Sequence, residues 1–379
     1  MKSKIVTLFT YGLTLKSALA FSFGVLLSRV FFSEALADIL FFQVASTFIS
    51  FLMQLGLRMG IRNHYHSGSF RSAELLKYSL ASRLLIWVLC LSVIVNLNFN
   101  GWPILFSLLI AQLSLLQGLS IAQGKLKLAN IYSILFFYSV LTAILFIIFF
   151  STKLNVYLFI ESASFIVLLY IKLKDSKASS LRAKRLFVLV IKKYFPLQIT
   201  SLMIYGVYFF VGLSVVSLAK ENIFYGKLYA DATIFFGVFT LLASKVMLFK
   251  EKDIFANQLA ENYVKIIIGF ALMAIAVFSI YVYLGYHSFV YGVAVSLILV
   301  GRTPFALLAQ FSTGKGFKYI LLLSALSLLI SICCYLLIQL SVNFDNLSLF
   351  KALGLGSLLI MSIAFLGLNS VLKKKLILG

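Results

Sequence analysis

Acidic side chains are scarce in this chain: 11 Asp and Glu stand against 33 Lys and Arg among 379 residues, a formal net charge of +22. Cysteine and histidine are scarcer still, at three each. Cys90, Cys333 and Cys334 all lie inside long apolar runs, so no disulfide framework is implied. His64 and His66 share one short basic segment and His287 stands alone; no ligand set with metal spacing accompanies them, and neither a metal nor a cofactor is expected. Also missing are a nucleophile with a partnered base, a carboxylate pair in a polar segment and a glycine loop fit to cradle phosphate. These absences argue against an enzyme.

What is present is apolar sequence. Hydrophobic residues make up 62% of the chain, and the mean hydropathy is +1.06. A helix needs roughly 20 apolar residues to cross the hydrocarbon core of a bilayer. About twelve runs of that length succeed one another, approximately over 5–31, 39–61, 78–97, 102–122, 128–151, 155–172, 194–218, 227–248, 262–285, 288–311, 318–341 and 348–371. They are continuous runs, not the ten-residue alternations of a membrane barrel. The expected fold class is therefore an all-α integral membrane protein with little mass outside the bilayer.

Such an excess of base would suggest nucleic acid in a soluble protein, but its placement gives a different account and no nucleic-acid partner is expected. Lys and Arg concentrate in cytoplasmic connections of membrane proteins. With Lys2 and Lys4 inside, the even-numbered connections hold Arg62, Arg71, Lys77, Lys125, Lys127, the cluster from Lys172 to Lys193, Lys250, Lys252, Lys315 and Lys318. Lys373, Lys374 and Lys375 close the chain on the same side. The opposite connections hold Lys153, Lys220, Lys227 and Lys351 together with Glu34, Asp38, Glu221 and Asp345. Both termini are thus expected in the cytoplasm, with an even number of spans and basic residues meeting anionic lipid headgroups. Met1 to Lys4 and Ala18-Leu19-Ala20 imitate a signal peptide with its cleavage site, but Lys16 interrupts the apolar stretch and the run continues past the site.

Leu173 to Lys193 is the only connection of any size, and it divides six expected spans from six. This sets an N-terminal lobe at 1–180 and a C-terminal lobe at 181–379, joined by a basic cytoplasmic loop. Repeated halves around a central site are common in transporters. Ala37-Asp38 with Phe42 and Thr47 recurs at one offset as Ala230-Asp231 with Phe235 and Thr240, which places the second span on the eighth.

Polar residues within the spans are the candidate functional groups. At 100° per residue, Gln43, Ser46, Thr47, Ser50, Gln54 and Arg58 occupy one third of the second span, opposite Phe41, Phe42, Ala45, Phe48, Ile49, Leu52 and Met53. In lipid that face must look at protein or water, and a water-filled cavity fits its two glutamines and arginine. Thr233, Gly237, Thr240 and Ser244 form a narrower seam on the eighth span, readable as helix packing or as cavity lining. Lys16 lies near the middle of the first span beside Gly12, Ala20 and Gly24, at a depth where a charge costs roughly 2.5–3.5 kcal/mol. Arg302 precedes Pro304 in the tenth span, and a cation there either satisfies carbonyls the proline frees or serves a ligand. Arg29 and Arg83, nearer span ends, read as interfacial anchors. Glu161 and Asp231 are candidates for ion coupling or for pairing with a base. Pro196 either marks the start of the seventh span or bends it.

Several of these residues fall in an order that resembles the polysaccharide exporters and lipid-linked oligosaccharide flippases of the MOP superfamily, to which the MATE drug exporters also belong. The matching stretches are Leu27-Ser28-Arg29, Glu34, Gln54-Leu55-Gly56-Leu57-Arg58, Leu116-Gln117-Gly118 through Gly124-Lys125, Tyr194-Phe195-Pro196 and Tyr225 to Ala230. The glycine usual before the second span is missing, with Ala35 and Ala37 in its vicinity. The resemblance implies two six-helix lobes related by a pseudo-two-fold axis, alternating access, a location in the bacterial inner membrane, and a polyprenyl-pyrophosphate oligosaccharide such as an O-antigen unit as cargo. It also implies membrane lipids and other polysaccharide assembly proteins as partners. Lys16, Arg58 and Arg302, joined by Arg29, would then hold the pyrophosphate, with Gln43, Thr47, Ser50, Gln54, Thr233 and Thr240 lining the path. A cation-coupled multidrug exporter calls for cavity carboxylates, which are few here. A membrane glycan polymerase or ligase calls for a large outer loop, and the longest outer connections have about ten residues.

Overall fold

The computed structural model describes residues 26, 30, 36–54, 57, 79–96, 103–122, 126–149, 180–236, 259–300, 317–340 and 346–378. Among these the regular structure is helical throughout, with no strand. Nine helices are bounded: α1 Leu36–Leu52, α2 Leu80–Asn96, α3 Pro103–Ala122, α4 Leu126–Phe149, α5 Ser180–Glu221, α6 Leu259–Tyr286, α7 Phe289–Val300, α8 Phe317–Leu340 and α9 Asn346–Leu378. A further helical run covers 223–236. Among the described residues two segments, Gln198–Glu221 within α5 and Lys318–Leu340 in α8, are long and apolar enough to cross a membrane.

Helix ends obey local chemistry. Asp38 sits in the first turn of α1, where a carboxylate meets the positive end of the helix dipole. The carbonyl of Ser79 accepts the Arg83 amide at 3.1 Å and so opens α2 from a residue suited to an N-cap. Pro103 occupies the first position of α3, where no donor is required. His287 closes α6 with its amide on the Tyr283 carbonyl at 2.8 Å and a φ of 53°, the left-handed cap conformation.

Two expectations about the middle of the chain are corrected. Residues 180–193, assigned to the basic loop, are helical and continuous with the apolar stretch after them, giving a 42-residue α5. Pro196 therefore lies well inside a helix and does not start one. Two of the repeat matches also differ in placement: Asp38 stands in a first turn, whereas Asp231 lies two turns into its helical run, and Phe42 is buried where Phe235 is exposed.

The chain forms two compact units, one of Met1–Gly24 with Phe41–Leu202, the other of Val25–Leu40 with Met203–Gly379. In the first, three residues separate α3 from α4 and the two pack extensively, with α2 against α3. Ser107 to Leu113 is buried on every side, so α3 is central there. Val140, Ala143, Ile144 and Ile147 form the buried face of α4.

In the second unit α6 packs on α7, α7 on α9, and α8 on α9. Small residues set these approaches. A Cβ at Gly292 of α7 would lie 2.6 Å from the Cα of Ser279 on α6, and one at Gly354 of α9 would lie 2.9 Å from the Cβ of Ala294 on α7. Gly356, two residues on, faces Cys334 of α8 instead. Close contact through glycine, alanine and serine is how helices associate when burial of apolar surface gives no net drive.

The polar and apolar faces of several helices are reversed relative to a protein folded in water. In α8, Ser324, Ser327 and Ser331 are buried at steps of three and four, while Leu322, Leu326, Leu329, Leu336 and Leu340 point outward, the last 77% exposed. In α2, Arg83 is fully buried while Leu85, Val88 and Leu89 are exposed. At one end of the second unit, Phe224 stacks edge-on with Tyr286 and Tyr291 at 5.2 and 5.1 Å, and Tyr225 leans on Phe350 at 5.0 Å. The end of α5, the start of the run at 223, the end of α6 and the starts of α7 and α9 thus share one end of the unit.

Candidate functional site

The polar face of α1 is divided. Ser46, Ser50 and Gln54 are buried, Gln43 is half-buried and Thr47 is exposed, while Phe41, Phe42, Ala45, Ile49 and Met53 on the other side are buried too. The hydroxyls turn back on their own helix. Thr47 donates to the Gln43 carbonyl at 2.7 Å and Ser50 to the Thr47 carbonyl at 3.0 Å. Back-bonding of this kind uses the hydroxyl proton and leaves oxygen lone pairs as what the face can offer.

Past Leu52 the helix tightens. Gln54 donates its amide to the Phe51 carbonyl at 3.0 Å, and Leu57 to the Gln54 carbonyl at 2.8 Å, both i to i−3 bonds. At that point α5 joins: Gln198 Nε2 donates to the same Phe51 carbonyl at 3.1 Å. Gln198, Thr200 and Ser201 are all buried. Sequence reasoning missed Gln198 and Ser201, although three residues apart on one helical face they would have emerged from the wheel applied to the second span.

Arg83 departs from its expected role as an interfacial anchor, because a side chain with no exposed surface cannot reach a headgroup. Its Nη1 donates to Gln112 Oε1 of α3 at 2.6 Å, and its Nε to the Ser79 carbonyl at 3.4 Å. Gln112 and Ser107 of α3 are buried as well. The first unit thus holds a buried cation fixed by a carboxamide.

In the second unit Asp231 is buried within its helical run, between Ala230 and Ala232. Thr233 is half-buried and donates to the Tyr229 carbonyl at 2.8 Å, so its proton too is engaged. Two adjoining clefts open by the aromatic cluster. One, of about 550 Å³, is lined by Asp38, Lys220, Glu221 and Asn222 among others. The other, of about 500 Å³, is lined by Val30, Ile223, Phe224, Lys227 and Tyr286. Among the described residues, neither is lined by one expected from the sequence to line the cargo path.

Lys16, Arg29, Arg58, Arg302, Glu161 and Thr240 lie outside the described residues. Of the expected set, Ser50 and Gln54 flank Phe51, whose carbonyl takes the Gln198 carboxamide, in the first unit; Asp231 and Thr233 belong to the second. Among the described residues no cluster of His, Cys, Asp and Glu fit to hold a metal is present.

Comparison with protein-family models, with curated proteins and with solved structures finds no match in any of the three. Fold and site define a class: a helical protein with helices able to cross a bilayer and buried amide, hydroxyl and guanidinium groups inside.

Proposed function

We propose that this chain is a multi-pass protein of the bacterial plasma membrane, with both termini cytoplasmic, that flips polyprenyl-pyrophosphate oligosaccharide to the outer leaflet by alternating access between two six-helix lobes. The observation that carries the reading is the reversal of faces in α2 and α8. Leucines facing outward and serine or arginine facing inward lower the free energy only where the surroundings are hydrocarbon. Within such a protein, interior polar groups mark the cargo route by default. Among the described residues they are carboxamides and hydroxyls with the cation Arg83 and the carboxylate Asp231, a set in which neutral groups outnumber charges and suit sugar hydroxyls better than an organic cation. The family resemblance in the order of the span-end residues supports the same assignment.

Lys16, Arg58 and Arg302 hold the pyrophosphate in this reading, with Arg29 contributing at the outer end. Charge reversal by Lys16→Glu or Arg302→Glu is expected to abolish surface-glycan export while leaving the protein inserted, measured by glycan staining beside membrane fractionation. Normal export by both variants would remove the pyrophosphate assignment. One observation favours a second reading, a cation-coupled exporter: the buried carboxylate of Asp231 suits ion coupling. Drug efflux on expression, lost with Asp231→Asn, is the outcome that reading requires.

A further inference from the structure

Gln198 is 4% exposed, and the two ends of its carboxamide differ in their surroundings. Nε2 donates to the Phe51 carbonyl at 3.1 Å, which fixes the orientation of the group because only the nitrogen carries hydrogens. Oε1 is buried and accepts from no described residue. The Phe51 carbonyl also takes the main-chain N–H of Gln54 at 3.0 Å, so the Gln198 carboxamide and the Gln54 backbone share one oxygen. Ser50, one turn before Gln54, donates its hydroxyl hydrogen bond to the Thr47 carbonyl, and Ser201 is buried one turn along the same face of α5 as Gln198. All of these residues belong to the first unit.

Thr47, Ser50 and the Gln198 nitrogen donate internally, and the acceptor Oε1 of Gln198 is left over. A phosphate or carboxylate brings only acceptors to that oxygen and gains nothing from it. A hydroxyl donates, and matches. We propose that the meeting of α1 and α5 around Phe51 is where the first unit recognises sugar hydroxyls, with Gln198 Oε1 as the acceptor and Ser50 and Gln54 beside it. This rests on the flippase reading and divides its labour: the cations take the pyrophosphate and the glutamines take the glycan. Oε1 is covered in this structure, so a hydroxyl reaches it in a more open conformation and supplies the hydrogen bond that the closed one lacks.

The test uses purified full-length protein in detergent, its thermal unfolding titrated with two lipids, polyprenyl pyrophosphate and the same lipid carrying an N-acetylhexosamine disaccharide. The wild type is expected to bind the sugar-bearing lipid more tightly. Gln198→Met is expected to weaken that binding about 3- to 10-fold, the loss of one hydrogen bond, with binding of the bare lipid unchanged. Gln54→Leu, which keeps its backbone bond to Phe51, is expected to act in the same direction and serves if Gln198→Met does not fold. Equal binding of both lipids by wild type and variants overturns the sugar assignment alone. Binding of neither lipid by the wild type overturns the flippase reading together with it.

Discussion

Arg83 is the residue whose position says most about the interior. A guanidinium with no exposed surface has given up its hydration, and Gln112 at 2.6 Å returns part of it through a hydrogen bond to a charged group. Bonds of that kind are worth about 1.5–3 kcal/mol. Gln112→Leu is expected to lower stability by about that amount, read from equilibrium unfolding in micelles. Arg83→Met combined with Gln112→Leu should recover part of the loss, because no charge then stays buried. A double variant whose loss equals the sum of the single losses would mean that the two side chains act independently. Sequence alone could not find this pair. Arg83 lies near the end of its apolar run, where an arginine ordinarily reaches the interface, and its partner is 29 residues away on α3.

At the scale of the helix, glycine positions grade the packing. Gly292→Ala pushes a methyl against the backbone of Ser279, so α6 and α7 must part, at an expected cost of about 1–3 kcal/mol. Gly354→Ala meets the Cβ and Cα of Ala294 and should cost nearly as much. Gly356→Ala meets the Sγ of Cys334, which can rotate away, and should cost less. Gly269→Ala meets nothing within 4 Å and should be neutral, or stabilising by up to about 1 kcal/mol through helix propensity. Thermal unfolding of the four variants checks the order; a flat series would show that these helices do not pack through their glycines.

Most helices were legible from apolar run length, as α3 and α8 illustrate, because a run able to cross a bilayer leaves a helix as the open solution for its backbone. The errors have a common cause. Hydropathy senses where the bilayer ends, not where the helix ends. Arg182, Lys184, Arg185, Lys192 and Lys193 depress the hydropathy of 180–193, yet Lys and Arg are good helix formers, and α5 runs straight through them. At its far end α9 likewise runs on past Lys373, Lys374 and Lys375 to Leu378. The polar face of α1 was legible as a stripe, but which part of it is buried depends on α5, and the Phe51–Gln198 bond joins residues 147 apart.

For the whole molecule, the reversal of faces and the scarcity of acidic groups bear on one claim, that the protein moves a sugar pyrophosphate across a bilayer. Serine within and leucine without in α8 fit hydrocarbon surroundings. The inward groups of the first unit, Arg83, Gln112, Gln54 and Gln198, include a cation and three carboxamides, chemistry suited to phosphate and hydroxyl oxygens. The most direct test is to deplete the protein from its own host and identify which lipid-linked intermediate builds up on the cytoplasmic leaflet. The account predicts that polyprenyl-pyrophosphate oligosaccharide accumulates there while surface glycan is lost. Normal lipid intermediates with altered drug sensitivity would contradict it.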